Sequence, residues 1–239
     1  YYYHVKDEFT IALSKFLGER LPDQKNYFDK LLYGSHVYGN SVSGTNETVS
    51  KLTVNDLKSF YNLNYTPKES AISIVGDFSS KEMKKLITEL FSGWKNNDSD
   101  NKNSANNTIS RPIENNVLIV NKDDAKETTF YIGAAGISRN NPDFVAIQVV
   151  NTLFGGRFTS MLNDELRVNS GLTYGASSRF STLKNGGSFY ISTFTALETT
   201  TEAIDKALEV LNTLHKNGLS ENSLTSAKNY VKGQFPPDY

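Results

Sequence analysis

Residues 151–176 read NTLFGGRFTSMLNDELRVNSGLTYGA, and this stretch decides the fold. Gly155 and Gly156 stop the helical pattern of Phe144, Ile147, Val150 and Leu153 and open a flexible loop that lets another backbone come close. Residues 159–168 return to helical spacing through Met161, Leu162 and Leu166. That helix ends at Arg167, and Tyr174 follows seven residues later, early in a strand. An Arg fork can hold a peptide carbonyl or a carboxylate through two parallel hydrogen bonds. A Tyr hydroxyl can donate to a developing oxyanion. On these residues alone a plainer account carries more weight: a surface ion pair of Arg167 with Glu165 or Asp164, and an ordinary strand tyrosine.

Working outward, residues 172–183 and 188–195 read as strands joined by Lys184-Asn185-Gly186-Gly187, a strong hairpin signal. Thr199 with Glu202 is expected to cap a long helix that closes at Asn217-Gly218, and Ser220 opens the last helix. Upstream, Asn141-Pro142 starts the helix that leads into Gly155, and residues 117–120 and 128–134 read as strands. Residues 95–110 (KNNDSDNKNSANNTIS) hold almost nothing apolar and read as a solvated linker. Before it, helices are expected over 6–17, around Tyr27–Leu32 and after Thr53, whose partner Asp56 makes a capping-box-like start. AISIVG at 71–76 reads as a strand. Ser79 and Glu82 cap the next helix, whose stripe of Met83, Leu86, Ile87, Leu90, Phe91 and Trp94 must be buried. Strand, turn and capped helix thus occur at 71–94 and again at 188–214, which points to two related α+β halves with partly antiparallel sheets.

Composition removes several function classes. Lys and Arg number 25 against 26 Asp and Glu, with no basic stripe, so a general nucleic-acid binder is not expected. No apolar run approaches the roughly 20 residues that cross a bilayer. With no Cys, thiol nucleophiles, disulfide scaffolds and Cys-ligated metals are excluded. The three His (His4, His36 and His215) are dispersed, and no H-x-x-E-H is present. No phosphate-binding glycine loop and no G-x-S-x-G elbow occurs. The first residue is not Met and the last lie just past a helical pattern, so the sequence reads as a piece of a longer protein.

Seven pieces in order carry a resemblance: YGSHVYG at 33–39, LTVNDLKSFYNLNYTP at 52–67, AISIVGDFS at 71–79, the helix ending at Trp94, residues 119–144, residues 151–176, and AKNYVKGQFP at 227–236. Together they resemble the pitrilysin/insulinase family of zinc metallopeptidases, which includes the mitochondrial processing peptidase. The resemblance implies an α+β fold of two related domains, each a mostly antiparallel sheet covered on one face by helices. Residues 1–95 would be the later half of the first domain, 96–112 a polar linker, and 113–239 the second domain without its last helices. The family's zinc motif is an inverted H-x-x-E-H with a downstream Glu. The motif is missing here, and the surroundings of Glu8 do not fit the third ligand, so no metal ligand and no catalytic residue is assigned to this chain. Zinc is expected in an active domain or partner instead.

By the same resemblance Arg167 and Tyr174 match an Arg/Tyr pair that holds the substrate backbone near zinc on a facing domain, with Gly155 and Gly156 in the preceding glycine segment. Met161 stands where many relatives carry Arg. The implied partners are a peptide or protein substrate and an H-x-x-E-H-bearing subunit or domain, and analogy with bacterial relatives gives the periplasm or envelope as the address. The first expectation is a non-catalytic, substrate-binding portion of such a peptidase. The alternatives are the distal part of an active zinc endopeptidase whose motif lies upstream of residue 1, and a scaffold protein that keeps only the fold.

Overall fold

The computed structural model describes residues 2–4, 24–96, 109 and 116–238. The expected helix at 6–17, Glu8 and most of the polar linker lie outside the described residues. Packing divides the chain into two compact units, one of Gly44–Asn107 and one of Tyr1–Ser43 with Thr108–Tyr239.

The larger unit is built on a three-stranded antiparallel sheet. β1 (Tyr2–His4) and β2 (Val117–Ile119) form a separate parallel pair. β3 (Glu127–Ala135), β4 (Ala176–Thr182) and β5 (Gly187–Ala196) pair in the order β3-β5-β4. The hairpin lies where Lys184–Gly187 placed it: Thr182 faces Gly187, and the Leu183 N–H donates to the Gly186 carbonyl at 2.7 Å. Alternation along β5 sends Phe189 and Ile191 to one face and Tyr190 to the other.

Against the first face pack α5 (Phe144–Asn151), α6 (Met161–Asn163) and α7 (Thr200–Asn217). Phe154, Leu162, Leu166, Ile191, Ala207 and Val210 form the buried core there. Each large side chain in it is worth about 1.5–3 kcal/mol of burial. The second face also carries a helix, from the stretch that the sequence reading gave to the first domain. Helix α1 (Gln24–Tyr33) sets the Phe28 ring 5.9 Å from Tyr131 and 5.8 Å from Tyr190, and Lys25 lies over the Tyr190 ring. An aromatic stripe on this face gives the sheet a second surface to bury.

In the smaller unit, α2 (Asn46–Ser50) and α3 (Val54–Asn64) both start with reciprocal capping boxes, at Thr45/Thr48 and at Thr53/Asp56. The stripe of α4 (Ser80–Phe91) is not buried as expected: Leu86, Leu90 and Phe91 are exposed. Residues 71–76 do not form a strand either, and Ile72, Ile74 and Val75 are exposed. A strand needs a paired neighbour, and no described strand lies beside residues 71–76. The internal echo therefore survives only at 188–214. There a further correction applies. Thr199 makes no side-chain cap on α7; its hydroxyl lies 2.6 Å from that of Thr195 instead. The expected ends hold: Gly218 closes α7 at φ 64° with its N–H on the Leu214 carbonyl, and Ser220 begins α8 (Glu221–Asp238) by accepting from the Ser223 N–H.

Candidate functional site

The 151–176 stretch begins as a continuation of α5. The helix does not stop at the two glycines. It widens into a π-helical turn over Thr152–Gly156, so these residues are not the open flexible loop that the sequence implied. Gly155 is buried, and a Cβ there would stand 2.5 Å from both the backbone nitrogen and the hydroxyl of Ser178. The glycine therefore permits the close approach of helix to strand that its lack of a side chain foretold. Gly156 is exposed.

Asn151, one turn before, completes the junction. Its side-chain amide donates to the Ser178 carbonyl at 3.0 Å, and its carbonyl oxygen accepts from the Ser178 hydroxyl at 2.7 Å. Both residues are buried, so these two bonds satisfy polar groups that water does not reach. A cleft of about 240 Å³ opens here, lined by Asn151, Gly155, Gly156, Ser178 and Arg179 among others. Arg167 and Tyr174 do not line it.

Past the glycines, Ser160 caps α6 by accepting from the Asn163 N–H. Asn163, also buried, accepts the Ala176 N–H at 2.8 Å and so fixes where β4 begins. The helix widens again into a π-helical turn over Asp164–Asn169. Leu166 points into the core with no exposure, and Arg167, next along, is half-buried. The expected ion pair is not formed. Glu165 is engaged by Lys206 at 3.3 Å and by the Asn169 amide at 3.1 Å. The Asn169 hydrogen bond, and after it the Lys206 ammonium, hold the Glu165 carboxyl below its ordinary range. Among the described residues no carboxylate pairs with Arg167. Its guanidinium lies over the Phe158 ring, 4.5 Å from the centroid.

Gly171 at φ 64° then reverses the chain, and the Leu172 N–H returns to the Leu166 carbonyl at 2.8 Å. The backbone that leads to Tyr174 is thus tied beside the turn that carries Arg167. It is also pinned to β5. Thr195 Oγ1 donates to the Leu172 carbonyl at 2.7 Å, Thr193 Oγ1 donates to the Gly175 carbonyl at 2.9 Å, and the Thr173 hydroxyl accepts from the Gly175 N–H. On this fastened backbone Tyr174 projects outward, 82% exposed, with the Phe194 ring 6.4 Å away.

The structure therefore ties Leu172, two residues before Tyr174, to Leu166, beside Arg167, and packs Gly155 against β4 instead. Sequence reasoning passed over Asn151, Asn163 and Phe158. The only signal for the first two was a short amide side chain inside an otherwise apolar helical pattern. Among the described residues no group of three His, Asp or Glu could hold a metal ion. His36 Nδ1 accepts the Tyr38 N–H, which makes it a local cap.

The sequence signature described as the peptidase M16 inactive domain matches residues 51–231. The chain belongs to that family, the class of zinc-protease relatives that the resemblance pointed to. It is 24% identical over 219 residues to the uncharacterized zinc protease YmxG of Bacillus subtilis, covering 91% of this chain and 52% of that protein. It is 27% identical over 202 residues to an uncharacterized zinc protease of Mycobacterium leprae, covering 84% of this chain and 45% of that one. The crystal structure of a peptidase M16 inactive domain from Pseudomonas fluorescens superposes with a TM-score of 0.76 at 24% identity, over 96% of this chain and 55% of that one. The chain spans about half the length of the curated relatives it matches. No helix of the described residues is long and apolar enough to cross a membrane.

Proposed function

We propose that this chain is the non-catalytic, substrate-holding portion of an M16 zinc peptidase, with Arg167 and Tyr174 gripping the backbone of a bound peptide. The supporting observation is the presentation of Tyr174. Its backbone is pinned to β5 on both sides, yet its ring and hydroxyl stand in solvent. Folding gains little from an exposed aromatic, whereas a rigid, amphipathic tyrosine is well suited to contact a partner. Arg167 adds a guanidinium with no carboxylate partner among the described residues, free to donate to peptide carbonyls. In this reading residues 1–95 and 113–239 belong to two related domains, as the resemblance implied. Bond cleavage takes place on an H-x-x-E-H-bearing domain or subunit that faces this one.

The test is the affinity of the natural full-length protein for an unstructured fluorescent peptide, read by anisotropy after chelation of metal. Arg167→Ala and Tyr174→Phe are each expected to weaken binding about tenfold, the worth of one charged or well-placed hydrogen bond. Unchanged affinity in both variants overturns the reading.

A further inference from the structure

We infer that Phe158 is a positioning residue for Arg167: its ring holds the guanidinium in place so that the donor fork faces a bound peptide. The inference rests on the peptide-holding reading above. Phe158 is 68% exposed, so its ring faces outward rather than into the core. The Arg167 guanidinium lies over its ring, 4.5 Å from the centroid. A guanidinium stacked on an aromatic face keeps its in-plane N–H donors available, so the stack orients the fork without consuming it.

The ring itself sits on a fastened backbone. Arg157, its neighbour, donates from Nε to the Thr159 carbonyl at 3.2 Å and from Nη1 to the Ser226 hydroxyl at 3.0 Å, and its guanidinium lies 5.8 Å over the Tyr230 ring. One arginine thus bridges the two sides of Phe158 and ties them to α8. The following Ser160 is fully buried as the cap of α6. Residues 157–160 therefore form a short arch that is anchored at both ends and carries a single outward ring. A long arginine side chain in solvent samples many rotamers, and holding it in one lowers the entropy lost when a peptide binds. The arch gives Phe158 a task that its burial does not explain.

The experiment is a double-mutant cycle on the natural full-length protein with the same fluorescent peptide, together with NMR of arginine-labelled protein. Phe158→Ala is expected to weaken peptide binding about two- to fivefold, the range of an exposed cation–π contact. Phe158→Tyr is expected to restore it, and Phe158→Ala is expected to have no effect when Arg167 is already Ala. The Arg167 δ-methylene protons are expected upfield in the wild type and at ordinary positions in Phe158→Ala. A loss at Arg167→Ala with none at Phe158→Ala overturns this inference alone. So does an undiminished Phe158→Ala effect in the Arg167→Ala background, or an Arg167 ring-current shift that survives removal of the ring. No loss at either Arg167→Ala or Phe158→Ala overturns this inference, and the peptide-holding reading falls with it only if Tyr174→Phe also leaves affinity unchanged.

Discussion

At the scale of single residues, the glycine-rich segment shows what a sequence can and cannot state. A close backbone approach at Gly155 was one reading of the glycine pair, beside that of a helix stop. Its conformation was not legible: a π-helical turn has no residue signature of its own, since the extra backbone residue per turn is set by what the helix must clear. Gly155→Ala puts a methyl 2.5 Å from the Ser178 backbone, which cannot yield as a flexible side chain would. It is expected to destabilise the fold by about 1–3 kcal/mol, measured by urea unfolding. Asn151→Ala strands the buried Ser178 hydroxyl and carbonyl, and the same measurement is expected to show a loss of about 1–3 kcal/mol. Tyr174→Phe, by contrast, is expected to leave the unfolding midpoint unchanged, because the hydroxyl stands in solvent and the ring is retained. A large stability loss there would mean that the tyrosine is structural.

At the scale of elements, patterns with a local cause were read well and those with a distant cause were not. The β4–β5 hairpin, the capping box at Thr53 and the close of α7 at Gly218 are each written in a few adjacent residues. The strand at 71–76 and the burial of the α4 stripe depended on neighbours in space, and the described unit does not supply them. The turn that carries Arg167 has its own electrostatic tether in Glu165. Its folded-state carboxyl lies below the ordinary value of 4.5 because the Asn169 amide and the Lys206 ammonium favour the charged form. A lowered acid contributes stability that is fully present above its unfolded value and is lost as pH falls through the folded value. Unfolding midpoints recorded from about pH 6 down to about pH 3 are therefore expected to fall less steeply in Glu165→Gln than in the wild type. Parallel profiles would show that the tether contributes nothing. Leu166, one residue on, is wholly buried, and Leu166→Ala is expected to cost about 2–5 kcal/mol.

At the scale of the whole molecule, the order of the motifs carried family membership, and the M16 inactive-domain match over 51–231 agrees with it. Each motif is loose by itself, but a fold constrains their sequence spacing jointly. The packing of α1 on the second face of the sheet was not legible, because Phe28, Tyr131 and Tyr190 are far apart in the chain and any of them could have faced solvent. The most direct measurement is peptide turnover by the natural full-length protein together with the proposed H-x-x-E-H-bearing domain or subunit, comparing wild type with the Arg167→Ala/Tyr174→Phe double variant. If this chain holds the substrate, kcat/KM falls at least about tenfold while the thermal unfolding midpoint stays put. If kcat/KM is unchanged, the two residues do not grip the peptide, and the chain serves the peptidase fold in some other way.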